Sequence, residues 1–491
     1  MVNGTNASKK IRGLYDLVQE RGLYVNSTRD LIVADSFKDE EYEEIPLSKE
    51  EGVNIKLPTK KSQAYNSTLL FSMLTGLTDG GSVLLMGPPG CGKTTSAEVV
   101  GHFLYDVDID TIRASTIYGH PEQTEEKMLA RPHTGKLVKE GIEEIIPRPF
   151  VTAPIHIVDE VNRLPPGKQS LLFQAIDRKK VEYCGKEFTM SGPLFATANY
   201  SDAGNFEMSP PFRDRFDIAL MVNEPSPLDY ETIRAAGDEK MGDSRENLLK
   251  IPDEFKLGNG EMGRIRKQIK NVKVDDEARD FLYYTVASID YCEMAGTDIS
   301  RMTKGSMMER PPNKAMCSEC HYGAGGKSIC SMTENGLSPR TMKSVERYAK
   351  SLAWFMGKNT AGVEEFKTVM PYTMWHKLRP TNTAFDADGR YVNDRIGFVE
   401  NIVNESMRSY AEVGDGIKGV YGAGVEAYDR WLNGHESKSG SEFEKLRDET
   451  LGSIKESIVR LADYDDHKIR IPLAQQLVKE YHDVITTTKA K

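Results

Sequence analysis

The stretch GPPGCGKT, Gly87 to Thr94, constrains this chain more than any other. It follows the apolar run SVLLM (82–86) and precedes TTSAEVVGHFLY, which reads as a helix. A strand, a glycine-rich turn and a helix start in that order aim backbone N–H groups into one concavity, with the helix dipole behind them. Such a loop takes phosphate oxygens. The spacing G-x-x-x-x-G-K-S/T adds Lys93, to reach the outer phosphates, and the Thr94 hydroxyl, to ligate Mg²⁺. The expected contacts to ATP are Gly87, Pro88, Pro89, Gly90, Cys91, Gly92, Lys93, Thr94 and Thr95. With strand and helix both flanking it, a chance glycine-rich turn is the poorer reading.

A loop of this kind needs a second strand that delivers a carboxylate to Mg²⁺ at its C-terminal end. IHIVDEVNRLPP (155–166) supplies one. Asp159 is expected to hold Mg²⁺ together with Thr94, and Glu160 to orient and deprotonate the attacking water. The run PLFATANY ends in Asn199, placed to touch the γ-phosphate and that water. In SPPFRDRFD (209–217) two arginines, Arg213 and Arg215, precede another apolar run. An arginine offered to a neighbouring subunit's phosphate stabilises transition-state charge. Surface pairing with Asp214 and Asp217 is the equal alternative on spacing. GLSPR opens a helix at Ser338–Pro339 and points Arg340 from its start, toward a nucleotide or toward solvent.

The chain has 491 residues, enough for two to four domains. It is 39% hydrophobic and 28% charged, has no apolar run of 18 residues, and its start lacks an apolar signal segment. We therefore expect a globular chain with no membrane partner. Six cysteines in this length are no disulfide framework and fit a cytoplasmic location. A net charge of −10 argues against a dedicated nucleic-acid binder. Strand–helix alternation predicts an α/β core with a parallel sheet covered by helices over 61–223, strands falling at 82–86, 155–159, 193–199 and 217–223. An N-terminal helix and a solvated acidic linker fill 1–60. A helical lid spans 224–380, and extra helices fill 381–491.

With these motifs quoted, the chain resembles the AAA+ ATPases, and most the MoxR branch of the clade that includes the MCM helicases and magnesium chelatases. GPPGCGKT is similar to the Walker A of that branch, VDEVNRLPPGKQSLLFQAIDRKKVE to its Walker B and following helix, and FATANY to its sensor 1. SPPFRDRFD occupies the arginine-finger segment, and GLSPR the sensor 2. The resemblance covers roughly 61–380. It implies a homo-oligomer, usually a hexameric ring. Arg215 would be the finger for the next subunit's ATP, Arg213 the reserve, and Arg340 a lid arginine on the γ-phosphate. It also implies hairpin insertions at about 133–152 and 181–192, and a protein partner that in many relatives carries a von Willebrand factor A domain.

The sequence departs from that pattern in its C-terminal extension and in an insertion at about 296–332 containing CSECHYGAGGKSIC. Cys317, Cys320 and Cys330 have spacing that suits one structural Zn²⁺, with Cys292 as fourth ligand and His321 as the alternate. Reduced thiols packed as small apolar groups are the competing reading. Three functions compete for the whole chain: a remodeller of a protein partner, an MCM-like nucleic-acid motor, and a nucleotide-gated assembly scaffold. Lys179, Lys180 and Lys186 around the second hairpin favour the motor; the acid excess opposes it.

Overall fold

A computed structural model describes residues 3–21, 30–34, 42–46, 54–58, 62–200, 206–224, 249–290, 304, 329–381, 394–412, 414–463 and 467–487. They form two compact units, 1–275 with 339–377, and 276–338 with 378–491.

The first unit is built on a five-stranded parallel sheet. We number its strands β1 (Ser82–Met86), β2 (Ile117–Tyr118), β3 (His156–Asp159), β4 (Leu194–Ala198) and β5 (Ile218–Met221). Their spatial order is β5-β1-β4-β3-β2. Near-continuous apolar runs suit strands covered on both faces, and β1 and β4 are buried almost throughout. The register sets Ala198 beside Met86 and Ala196 beside Val158. The carboxyl ends of β1, β4 and β3 therefore meet along one edge, where ligands of such sheets bind. Strand β2 was not expected: two residues are too short for a periodic signal, and it is fixed by pairing with Val158 and Asp159.

Helix Ser67–Leu77 is buried along its whole length, and Asn66 caps it by accepting from the Leu69 N–H at 2.9 Å. The N-terminal helix Asn3–Glu20 belongs to this core as well. It buries Ile11, Leu14, Tyr15 and Val18, and the Tyr15 ring meets those of Tyr65 and Phe355 edge-on at 5.2 and 6.1 Å. The acidic stretch expected as a solvated linker contributes Tyr42–Pro46 to an antiparallel pair with Asn54–Pro58. Helices Glu261–Lys270, Pro339–Phe355 and Val363–Met374 belong to the same compact unit as the sheet; Trp375 Nε1 donates to the Ala219 carbonyl at 2.7 Å.

The second insertion is a hairpin, Lys180–Tyr183 against Lys186–Thr189. Its two turn residues, Cys184 and Gly185, both have positive φ (48° and 72°), the geometry that matches strand twist in two-residue turns. The first differs from a plain hairpin. Ala130–Pro132 pairs with Ile145–Pro147, and a short helix, Thr134–Glu140, fills the space between, capped by the His133 ring. Its Val138 is 84% exposed.

In the second unit, helix Asp276–Asp290 packs against Arg395–Glu412, and Gly414–Gly434, Gly440–Ala462 and His467–Thr486 pack together. Trp431 is buried there, stacked on His435 and edge-on to Phe443. Among the described residues no helix is long and apolar enough to cross a membrane.

Two buried histidines give the first unit a pH dependence. His156 is pushed down to about 4 by burial, with its Nδ1 on the Phe150 carbonyl at 2.7 Å, and burial holds His376 well below its ordinary value. Both are neutral when folded and titrate near 6.5 when unfolded. Stability is therefore full above about pH 6.5 and falls as pH drops toward 4, by roughly 3 kcal/mol for His156. Denaturant midpoints across that window should fall less steeply for His156→Gln than for the parent chain; equal slopes would refute the assignment.

Candidate active site

Four segments meet at the carboxyl edge of the sheet. The loop after β1 turns through Gly90 (φ 79°) and Gly92 (φ 81°), conformations open to glycine at little cost. Helix Lys93–Tyr105 then starts with no side-chain cap, so its first N–H groups face the loop's concavity. Cys91 Sγ donates to the Pro88 carbonyl at 2.9 Å and is buried, which closes the loop on itself. Thr95 is exposed on the first turn of that helix.

Lys93 is buried, and its ammonium donates to the carbonyls of Gly87 (2.9 Å) and Pro88 and to Asn199 Oδ1 (3.0 Å). Thr94 Oγ1 donates to Asp159 Oδ1 at 2.5 Å. Asn199, one residue past β4, uses both ends of its amide: the oxygen takes Lys93, and Nδ2 donates to Glu160 Oε1 at 2.8 Å. Glu160 itself has φ 51° and ψ 51°, a left-handed conformation that is uncommon and strained for a residue with a side chain. The backbone of Gly119 packs closely against it: a Cβ there would lie 2.1 Å from the Glu160 carbonyl oxygen, so position 119 has no room for a side chain.

Two residues of this site were not anticipated. Thr197, fully buried in β4, donates to Asp159 Oδ1 at 2.6 Å and accepts from the Glu160 N–H at 2.8 Å, so one hydroxyl sets both acids. A lone hydroxyl two residues before Asn199, inside an apolar strand, was the available signal. Arg163, three residues beyond Glu160 on a 3₁₀ turn, pairs with Glu160 Oε2 at 3.1 Å.

The three remaining arginines are placed as follows. Arg215 donates from Nε to Asp177 at 3.1 Å and from Nη1 to the Pro211 carbonyl at 2.6 Å. Arg340 reaches the same Asp177 oxygen at 3.2 Å and Asp214 at 3.5 Å. Arg213, half-buried, ends the short helix Pro210–Arg213. Of the zinc candidates, Cys292, Cys317, Cys320 and His321 lie outside the described residues. Cys330 is half-buried on the 3₁₀ turn Ile329–Met332. Among the described residues no cluster of three or more His, Cys, Asp or Glu side chains forms a metal site.

The donor set fits a magnesium nucleotide. Thr94 and Asp159 already touch and offer a neutral and an anionic oxygen to a hard cation. Glu160 is the base within reach of the same edge, and Asn199 connects it to the phosphate-binding lysine.

The chain is similar to known proteins over this region. The AAA domain family, dynein-related subfamily, matches residues 82–216. The Mycobacterium tuberculosis protein Chaperone MoxR1 is 25% identical over 318 residues, 63% of this chain and 71% of its own length. Protein MoxR of Paracoccus denitrificans is 20% identical over 306 residues, 61% of this chain and 79% of its own. A crystal structure of a candidate ATPase from Cytophaga hutchinsonii superposes with a TM-score of 0.54 at 16% identity, over 82% of this chain and 96% of that one, which supports the fold.

Proposed function

We propose that this chain, an AAA+ protein related to the MoxR chaperones, hydrolyses ATP with Mg²⁺ in a ring of its own copies and uses the energy to remodel or assemble a protein partner. The observation that carries the reading is the continuous chain of contacts from Lys93 through Asn199 to Glu160, with Thr94 on Asp159 beside it. In this reading the loop N–H groups and Lys93 hold the phosphates. Thr94 and Asp159 hold Mg²⁺, which when bound neutralises charge on the phosphate oxygens. Glu160 takes the proton from the attacking water while Asn199 keeps its carboxylate in place. Arg215 of one subunit serves the ATP of the next. A hexamer is the assembly the resemblance favours, and a protein carrying a von Willebrand factor A domain is the partner class it suggests. Val138, exposed at the tip of the first insertion, gives such a partner an apolar foothold.

In the basic hairpin that favoured a nucleic-acid motor, one of the three lysines is balanced by a carboxylate. Lys180 pairs with Glu187 at 2.5 Å, Lys186 donates to the Ile145 carbonyl, and burial pushes Lys179 below its ordinary value. The test is Mg²⁺-dependent ATP turnover by the purified chain, measured with and without DNA or RNA, followed by identification of proteins retained on a Glu160→Gln variant in its own cells. Turnover indifferent to nucleic acid, with a specific retained protein, is the expected result. No turnover, or turnover stimulated by DNA and lost steeply with salt, would overturn the reading.

Thr197→Val probes the setting of the two acids. It keeps the strand's shape and removes the hydroxyl, leaving the Glu160 N–H unsatisfied at a cost of about 1–3 kcal/mol. Turnover should fall by roughly tenfold or more, and half-saturation by Mg²⁺ should move to higher concentration. An unchanged Mg²⁺ titration would remove Thr197 from the site.

The cysteine-rich insertion extends the proposal. Cys292, Cys317, Cys320 and Cys330 supply four thiolates for one structural zinc, with His321 as the alternate donor. Purified protein should carry about one zinc per chain, and Cys317→Ser should lose it and melt earlier. Metal-free protein of normal stability would refute this.

A further inference from the structure

We propose that Asp177 is the positioning residue that gathers Arg215 and Arg340 into a single phosphate-facing pair. The inference rests on the ATPase reading above. Asp177 lies at the end of helix Pro166–Arg178, and one of its oxygens, Oδ2, accepts from both arginines, at 3.1 and 3.2 Å. Two guanidinium groups on one oxygen repel each other, and the carboxylate between them offsets that repulsion. The rest of the seat is built for orientation. Four residues earlier on the same helix, Phe173 lies under the Arg215 guanidinium, with its ring centroid 3.9 Å from the central carbon. The Pro211 carbonyl takes Nη1 and Asp214 takes the second arm of Arg340.

These contacts leave donors to spare. Arg215 commits Nε and Nη1, and its side chain is 18% exposed; Arg340 is 50% exposed. Among the described residues, neither arginine hydrogen-bonds to the phosphate loop or to Glu160. Their remaining N–H groups are offered together, from one place, to one external anion. Read this way, the finger and the lid arginine work on the same phosphate, and Asp177 decides whether both arrive.

The test compares Asp177→Asn and Asp177→Glu with the parent chain for ATP affinity, turnover and ring assembly. Asp177→Asn should bind ATP as the parent does and turn it over at least tenfold more slowly; Asp177→Glu, which keeps the charge, should recover part of the loss. Lys93→Ala subunits lack nucleotide binding but carry intact arginines, so mixing them with Asp177→Asn subunits should restore part of the turnover. Parental turnover by Asp177→Asn, lost ATP affinity, or mixed rings that form and stay inactive would each overturn the proposal. So would disrupted assembly in both variants, which would make Asp177 a structural residue. A parent chain with no turnover would fail the ATPase reading first and take this inference with it.

Discussion

Glu160→Gln should bind ATP as tightly as the parent chain and hydrolyse it roughly 10²–10⁴-fold more slowly, the range that a positioned general base contributes. The substitution is close to isosteric. Its amide can still meet Asn199 Nδ2 at one end, and the backbone N–H can still reach Thr197, so the site should keep its shape. What it loses is the ability to take a proton, together with the ion pair from Oε2 to Arg163. Lys93→Ala is the contrasting variant. It removes the buried ammonium that links the loop carbonyls to Asn199, and it should abolish most nucleotide affinity. Equilibrium binding of a fluorescent ATP analogue separates the two, and single-turnover hydrolysis measures the chemical step. Parental turnover in Glu160→Gln would move the base elsewhere on the sheet edge.

Arg215→Ala should leave affinity for ATP nearly unchanged and cut hydrolysis by about 10³-fold or more, as loss of a phosphate-facing arginine does in related chemistry. Arg215→Lys should recover little, because an ammonium cannot span Asp177 and the Pro211 carbonyl while stacking on Phe173 and still present a planar fork. Since the residue is proposed to serve a neighbour, its loss is repairable from outside. Arg215→Ala and Lys93→Ala subunits, each inactive, should regain part of the activity when combined in one ring. If mixed rings form and remain dead, Arg213 becomes the residue to test.

Much of this site was legible because its residues sit in fixed order along the chain. Gly87–Thr94, Asp159, Glu160 and Asn199 each follow an apolar run, and a parallel sheet brings the ends of its strands together whatever the intervening lengths. Thr197 was harder, since a threonine within a strand has many ordinary uses and only its alignment with Asp159 gives it this one. Asp177 was harder still. It lies on a helix whose other residues read as packing and surface, and its partners are 38 and 163 residues away. The N-terminal helix was seen as a helix but not as core, because the partners of Tyr15, namely Tyr65 and Phe355, come from distant segments. Periodicity reports which face of an element is apolar; it does not report what covers that face.

The Asn199 amide has one further consequence. It is a rigid plane with opposite polarities at its two ends, one on a cation and the other on an anion. Rotation that frees one end must disturb the other. In the proposed cycle a phosphate that draws Lys93 away frees the amide oxygen alone, while Nδ2 keeps its hold on Glu160, so the base stays aimed as the nucleotide enters. An aspartate in its place would break that hold, because its second oxygen would repel Glu160 where the amide now holds it.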